Sequence, residues 1–528
     1  MNSVDTPRAK LVELLWQLKT AMEQGSNRRI HFNSLLRDSA YRRELIDEAA
    51  TSQQADLREL GLSLRVLNSD GELTQRDAGV NPDITETVSA SSRPTTPSGG
   101  QQRSALWAVA ALILLAIAAG IVLLDNGPRQ QTVQGSLRGT QHWDADTLWR
   151  LKGIVYLEGN AQLSIEAGTV IQGEPGSALI VTRDATLTAR GTADAPIVFT
   201  SAQAAGQRQA GDWGGLVLLG NAPVNSGEAQ IEGLPMDDRR GRFGGGDTGS
   251  HCGVLDYVRI EFAGYEVYAN NELNGLTLGG CGNNTIVRHV QVHRAADDGI
   301  EVFGGTVDLQ RVVISGADDD SLDWDMGWTG RVQFMQVLQY PQMGDNAIEA
   351  DNSASDHAAT PVSAPTLYNV SLLSLSSSEK FQRGITLRRG SGGHFHNMLI
   401  SGFSGEAIDI RDIKTVSRFD SEELSFSAMA IVNNGPYPDE QGKHNDDGGF
   451  DEARFFAEFA LTANPGLAGL SADDPQPDFR IAAGSPLGQG ASALPQGEFW
   501  DEAAEYIGAL RPGSTKTWLD GWTQFPSR

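Results

Sequence analysis

Seven times after residue 250, two apolar residues recur with one residue between them: Val258/Ile260, Val290/Val292, Val312/Ile314, Met335/Val337, Val370/Leu372, Met398/Ile400 and Met429/Ile431. The step from pair to pair runs from 22 to 35 residues. A second set interleaves with the first: Leu276/Leu278, Ile300/Val302, Leu322/Trp324, Ile348/Ala350, Ile385/Leu387 and Ile408/Ile410. A spacing of two puts both members on one face of a strand. Two strand columns repeating at the length of one coil describe a parallel β-helix, in which each unit buries its apolar face only by stacking on its neighbours. The longer steps are loops inserted at corners. "AQLSIEAGTVIQG", "SALIVTRDATLTARG" and "APIVFTS" supply shorter coils upstream, and 60 glycines suit a chain of many tight turns. A β-sandwich also has many short strands, but it does not require them to superimpose in two columns. The expected fold class is therefore mainly β: a right-handed parallel β-helix.

This register assigns directions. Where Ile300, Leu322, Ile348 and Ile408 point inward, Thr277, Glu301, Asp323, Glu349, Thr386 and Asp409 form an outward column. Gly279, Phe303, Asp325, Asp351, Arg388 and Arg411 form the next, and Trp324 falls inward. Adjacent coils stack about 4.8 Å apart. Glu301, Asp323 and Glu349 then form a ladder of like charges, which needs retained protons, a hard cation such as Ca²⁺, or arginine, with Arg388 and Arg411 nearest. Paired carboxylates one or two coils apart also meet the spacing of a glycoside hydrolase. Glu301, Asp323 and Glu349 are accordingly the calcium candidates and, in the enzyme reading, the catalytic ones. Asp297/Asp298 and Asp318–Asp320 precede the strands, where turn formation is the expected role, with cation binding and catalysis as alternatives.

Charge and hydropathy divide the chain. The net charge is −26, which argues against a nucleic-acid partner. Only 14 of the 67 acidic residues, but 13 of the 41 basic ones, lie before residue 105, so the acid excess follows. Residues 105–124, "ALWAVAALILLAIAAGIVLL", hold no charge over the length that spans a bilayer. With Arg103 and further basic residues upstream, the expected topology is single-pass in a bacterial inner membrane, N-terminus cytoplasmic and the larger part periplasmic. Leu11, Leu14, Leu15, Leu18 and Met22 suggest a helix over 7–24. Leu35, Leu36, Leu45, Ile46, Leu57 and Leu60 suggest one or two more over 34–60. The expected organisation is a helical cytoplasmic domain (1–70), a Ser/Thr/Pro/Gly linker (71–104), the membrane helix (105–124), a juxtamembrane segment (125–149), the β-helix (150–440) and a C-terminal cap (441–528) with a helix over 440–470. Cys252 and Cys281 fall in the external part, where a disulfide forms; the alternative is two thiols in neighbouring turns.

Other motifs carry less. "GDWGGL" (211–216) lacks the helix that a phosphate loop needs, and Trp213 suits a packed corner. Trp328 is a corner aromatic or a sugar platform. His394 and His396 share a strand face but have no third metal ligand in view. No G-x-S-x-G motif is present.

"GTADAPIVFTS" followed by "GDWGGLVLLGNAPVN" resembles bacterial right-handed parallel β-helix proteins exported to the envelope or surface. The resemblance continues through "GVLDYVRIEFAG", "NELNGLTLGG", "DDGIEVFGGTVD", "DDDSLDWDMGW", "DNAIEADN", "ITLRRG" and "YIGALRPGSTKTWLDGWTQF", over roughly residues 150–528. It implies the fold and an envelope location, and supplies no catalytic residues. Cys252 and Cys281 stand where that family has small or apolar residues, and the uncleaved helix and N-terminal domain are further departures. The DDGIE-like segments also resemble β-helix polysaccharide enzymes. The functions expected are binding or scaffolding in the envelope with a glycan or protein ligand, polysaccharide hydrolysis or lysis, or transmembrane sensing with residues 1–70 as output.

Overall fold

The computed structural model describes residues 39–52, 54–69, 129–234, 238–268, 271–375, 380–437, 447–471 and 474–528, with Leu18 and Met22. The apolar span 105–124, the linker 71–104 and most of the expected helix 7–24 lie outside the described residues. Among those described, no helix is long and apolar enough to cross a membrane. The chain divides into two compact units, Met1–Pro128 and Arg129–Arg528.

In the first unit, Ser39–Ala50 and Ala55–Ser69 are helices. Leu45, Ile46 and Leu64 are buried, and Leu57 and Leu60 are half-buried. A Cβ on Gly61 would lie 2.4 Å from the Ala50 backbone nitrogen, so the two helices touch through a glycine. Leu18 and Met22 are helical and buried.

The second unit is a parallel solenoid in which strands from Arg129 to Val432 join one 22-stranded sheet. It starts earlier than expected. Arg129–Leu137 pairs in parallel with Thr147–Leu157, and Thr140–Trp143 with Gln162–Ile165. The expected juxtamembrane segment 125–149 is thus corrected from 129 onward. As an end strand, Arg129–Leu137 buries only Val133, so it carries no apolar alternation to read. Trp143 and Trp149 stack at 5.0 Å inside this first coil.

Each full coil has three faces where the sequence suggested two. The long strands, such as Gly253–Glu261 and Ile286–His293, contain one non-glycine residue with positive φ: Tyr257, His289, Arg311, Phe334, Asn369, Asn397 and Ala428, between 49° and 64°. The ladder skips it, pairing Asp256 with Arg288 and then Val258 with Val290. That left-handed residue bends the strand, separating a first face (254–256 and its equivalents) from a second (258–261 and its equivalents). Tyr, His, Arg, Phe and Ala do not advertise this conformation as glycine would, so the bend has no clear mark in the sequence. The third face is built from short strands: Leu276–Gly279, Ile300–Phe303, Leu322–Asp325, Asn346–Ala350, Arg383–Leu387 and Ile408–Ile410.

Small residues admit the third face. Gly275, Gly299, Ser321, Ala347, Gly384 and Ala407 each precede its first inward apolar residue. A Cβ on Gly275 would meet Val292 Cγ1 at 2.3 Å, one on Gly299 would meet Ile314 Cγ2 at 2.3 Å, and one on Gly384 would meet Ile400 Cγ2 at 2.7 Å.

The C-terminal region does two things. Phe419, Phe450, Phe455, Phe456 and Phe459 gather around Phe426 of the last coil. Among the described residues of 440–470, the expected helix is Glu452–Phe456 plus a 3-10 turn, its start fixed by Asp451 accepting from the Arg454 N–H. Residues after 460 do not cap. They run as a strap along the second face, because its outward residues Val313, Leu338, Leu373, Leu399, Ala430 and Val432 are themselves apolar. Phe479, Ile507, Leu519, Trp522 and Phe525 cover them. Cys252 and Cys281 are buried and bonded, Cα–Cα 5.7 Å.

Gly299→Ala tests the small-residue column. Its Cβ meets both Ile314 and the Ser321 carbonyl, and overpacking of this kind costs about 1–3 kcal/mol. Urea unfolding should show a lower midpoint at an unchanged slope; an unaltered midpoint would refute the steric reading.

Candidate functional site

The third face stacks in the register the sequence suggested. Its outward column runs Ile180, Val217, Thr277, Glu301, Asp323, Glu349, Thr386, Asp409. Two residues along, Leu219, Gly279, Phe303 and Asp325 stack, and Asp351, Arg388 and Arg411 lie just past the ends of their strands. Trp324 points inward and is fully buried.

Outward did not mean open. Thr277, Glu349, Thr386 and Asp409 are buried, and Glu301, Asp323 and Asp325 are half-buried. An excursion within residues 222–247 places Val224, Ile231, Leu234 and Phe243 over the apolar members Ile180, Val217, Leu219 and Phe303. Asn225 on this excursion donates from Nδ2 to the Asn352 carbonyl at 2.6 Å, joining it to the segment that follows Asp351.

A second ladder runs beside the first, two residues ahead of each inward apolar residue: Asn274, Asp298, Asp320, Asn346. Its side chains take up backbone donors of the next coil. Asp298 Oδ1 accepts from the Asp320 N–H at 2.9 Å, and Asp320 Oδ1 accepts from the Asn346 N–H at 2.7 Å. These bonds tie one coil to the next, where the sequence suggested local turn formation. Asn274 Nδ2 donates to Glu301, and Asn346 Nδ2 to Glu349 at 3.3 Å.

The two ladders bring carboxylates together in two groups. Asp298, Glu301 and Asp323 each offer an oxygen within 4.8 Å of the others, and so do Asp320, Asp323 and Glu349. Asp323 belongs to both. Its Oδ1 is buried and has no hydrogen-bond partner among the described residues. Asp297 and Asp319, and Asp319 and Asp345, extend the groups along the adjacent turn. Asp298 and Asp320, expected chiefly in turns with cation binding and catalysis as alternatives, join the groups through their fixed offset of three residues from Glu301 and Asp323.

Arginines answer the charge at one end only. Arg388 pairs with Glu349 and, through Nε, with Asp351 at 2.7 Å, and Arg389 reaches Asp351 at 2.6 Å. Arg411 holds Asp409 at 2.8 Å, and Arg383 holds Glu406 at 2.7 Å and Asp409 at 3.1 Å. Burial opposes the charge on Arg388, but Glu349 and Asp351 more than offset it and hold the guanidinium protonated.

Toward Glu301 the balance reverses. Burial pushes the carboxyls of Glu301, Asp320 and Asp323 well above the usual range, and their neighbouring carboxylates push them further: Asp323 for Glu301, and Glu349 with Asp298 for Asp320 and Asp323. Burial also raises Asp325 to about 6. A site of this kind holds protons or a cation: hard ions such as Ca²⁺ take several carboxylate oxygens, and a proton-holding carboxyl can serve as a general acid.

The remaining motifs are structural in placement. Trp213 is buried against Gly173, with its Nε1 donating to the Glu261 carbonyl at 2.8 Å. Trp328 is buried and donates to the Val307 carbonyl at 2.9 Å, so it offers no platform. His394 and His396 pair with Ser425 and Ser427, and none of the metal-capable groups among the described residues includes a histidine.

The stacked coils, end cap and acid-bearing face define a parallel β-helix protein. Residues 135–462, more than half of the chain, match the pectate-lyase-like β-helix domain, and the chain belongs to that family. Such a domain fits a polysaccharide-related or envelope protein. No curated protein and no solved structure matches the chain.

The raised carboxyls have a signed consequence. Their folded values exceed the unfolded ones, so in chelator their contribution is full below about pH 4 and is lost as pH rises through the raised values, Asp325 at about 6. Calorimetry in EDTA should show the β-helix melting lower at pH 7.5 than at pH 5, with a smaller drop for Asp323→Asn. A melting temperature that rises over this interval equally in both proteins would contradict the reading.

Proposed function

We propose that the protein is anchored in the bacterial inner membrane and presents its β-helix on the periplasmic side, where it binds an envelope glycan through a divalent cation, Ca²⁺ by ligand type. The cation is held at Asp323, between the carboxylates of Asp298 and Glu301 and those of Asp320 and Glu349. The carrying observation is that Asp323 belongs to both carboxylate groups and that its Oδ1 is buried with no hydrogen-bond partner among the described residues. A bound cation offsets the repulsion that otherwise forces protons onto these acids, and it leaves coordination positions for hydroxyl or carboxylate oxygens of a ligand. The membership in a pectate-lyase-like domain family supports a glycan as that ligand. The uncharged span 105–124, with Arg103 on its N-terminal side, supports the anchoring and the topology.

One observation favours a second reading, a polysaccharide hydrolase or lyase. Asp325, held at about 6, would be a proton donor near neutrality beside the ionised or cation-bound ladder.

Thermal melting of the full chain in detergent separates the outcomes. Saturating Ca²⁺ should stabilise the wild type, by about 2.7 kcal/mol at a hundredfold excess over Kd, and should do little for Asp323→Asn. No Ca²⁺ response in the wild type would defeat the cation reading. Release of shortened products from polygalacturonate or alginate, lost in Asp323→Asn, would replace the binding reading with the enzymatic one.

A further inference from the structure

A second feature lies elsewhere on the same solenoid. A cleft of about 400 Å³ is lined by Arg138, Glu158, Gly159, Thr182, Arg183, Asp184, Arg239, Arg240 and Arg242. Five arginines from three distant segments line it, with the carboxylates of Glu158 and Asp184, and Asp238 and Glu228 pair with three of the five. The rest of the chain makes this concentration unusual, since its net charge is −26. Arg138 and Arg183 come from early coils, while Arg239, Arg240 and Arg242 come from the excursion that also covers the apolar end of the third face.

Four of these arginines are fixed by an acid, which positions them. Arg240 is held by Asp238 through both Nε and Nη2, at 2.8 and 2.7 Å, and lies 3.6 Å over the Tyr156 ring. Tyr156 in turn donates to Asp238 at 3.2 Å. Arg138 is held by Glu158 at 2.7 Å, with three quarters of its side chain exposed. Glu228 holds Arg183 at 2.7 Å and Arg242 at 3.3 Å from one carboxylate. Each of these pairs leaves further N–H groups of the guanidinium unspent, since the fork carries five donors. Arg239 is exposed and has no partner among the described residues. The outcome is a recess with pre-oriented donors on several sides and one uncommitted guanidinium.

We propose that this cleft binds a phosphoryl group, either free inorganic phosphate or a phosphate ester carried on a sugar. A carboxylate is satisfied by a single fork, as the pairs around the cleft already show. A phosphoryl group presents three free oxygens in a tetrahedral array and accepts from several directions at once. The overall acidity of the protein opposes approach of any anion at long range, so selection rests on the short-range forks. The site is independent of the Asp323 cluster: it uses other residues, the opposite charge and no cation.

Isothermal titration of the full chain in detergent with inorganic phosphate and with glucose 1-phosphate tests this, without divalent cation and at low salt. The wild type should bind at least one probe saturably, and Arg239→Ala/Arg242→Ala should weaken that binding tenfold or more with an unchanged melting temperature. Arg239→Lys/Arg242→Lys, which keeps the charge and loses the forks, should recover only part of it. Tighter binding of glucose 1-phosphate assigns the site to a sugar phosphate, and equal binding assigns it to the free anion. Absence of saturable binding for both probes, or equal binding in the wild type and the alanine variant, overturns the proposal.

Discussion

In a parallel solenoid every strand residue has an in-register neighbour about 4.8 Å above and below it. That single spacing governs the rest of the structure. It stacks apolar side chains into a continuous core from Val133 to Phe456, and it forces any charged column to face itself. Where the column is Asp409 and Glu349, arginines from the same face neutralise it. Where it is Glu301 and Asp323, burial and like charge act together, and the carboxyls hold protons unless a cation takes their place. The asymmetry between the two ends of one ladder makes a site out of what would otherwise be a repeat.

The same spacing also explains how the solenoid is finished. Stacked coils leave two open ends and, on the second face, an outer surface of Val313, Leu338, Leu373 and Leu399 that water would not tolerate. The phenylalanines at 450–459 close one end. The strap after residue 460 covers the face and fastens itself to polar side chains there. Asn369 donates to the carbonyls of Ala504 and Tyr506, Asn397 exchanges hydrogen bonds with Ser492, Gln291 with Gln524, and Arg259 donates to the Trp522 carbonyl. The positive-φ bends thus have two uses: Asn369 and Asn397 turn the strand and hold the strap.

The outward ladder was legible because period two leaves no freedom once the inward residues are known: Thr277, Glu301, Asp323, Glu349, Thr386 and Asp409 stack as the pattern requires. The disulfide was legible from two cysteines set before similar strands. Three things were not. The first face was hidden because Tyr257, His289 and Phe334 adopt positive φ with no local signature. The start of the solenoid was hidden because an end strand has nothing to bury on one side. The cover over the third face was hidden because Asn225 and Asn352 are 127 residues apart, and only the folded coil brings the excursion across Asp325 and its neighbours. Direction within a strand is a local property; burial is a property of whatever the rest of the chain lays on top.

The account stands on what occupies the space beside Asp323 Oδ1. Crystals of the protein grown with Ca²⁺, measured for anomalous scattering, give the most direct answer. The account predicts a peak bonded to Asp323 Oδ1, with further oxygens from Asp298 and Glu301 or from Asp320 and Glu349. No peak at that position, with the carboxyls of Asp323 and its neighbours sharing protons instead, would contradict it.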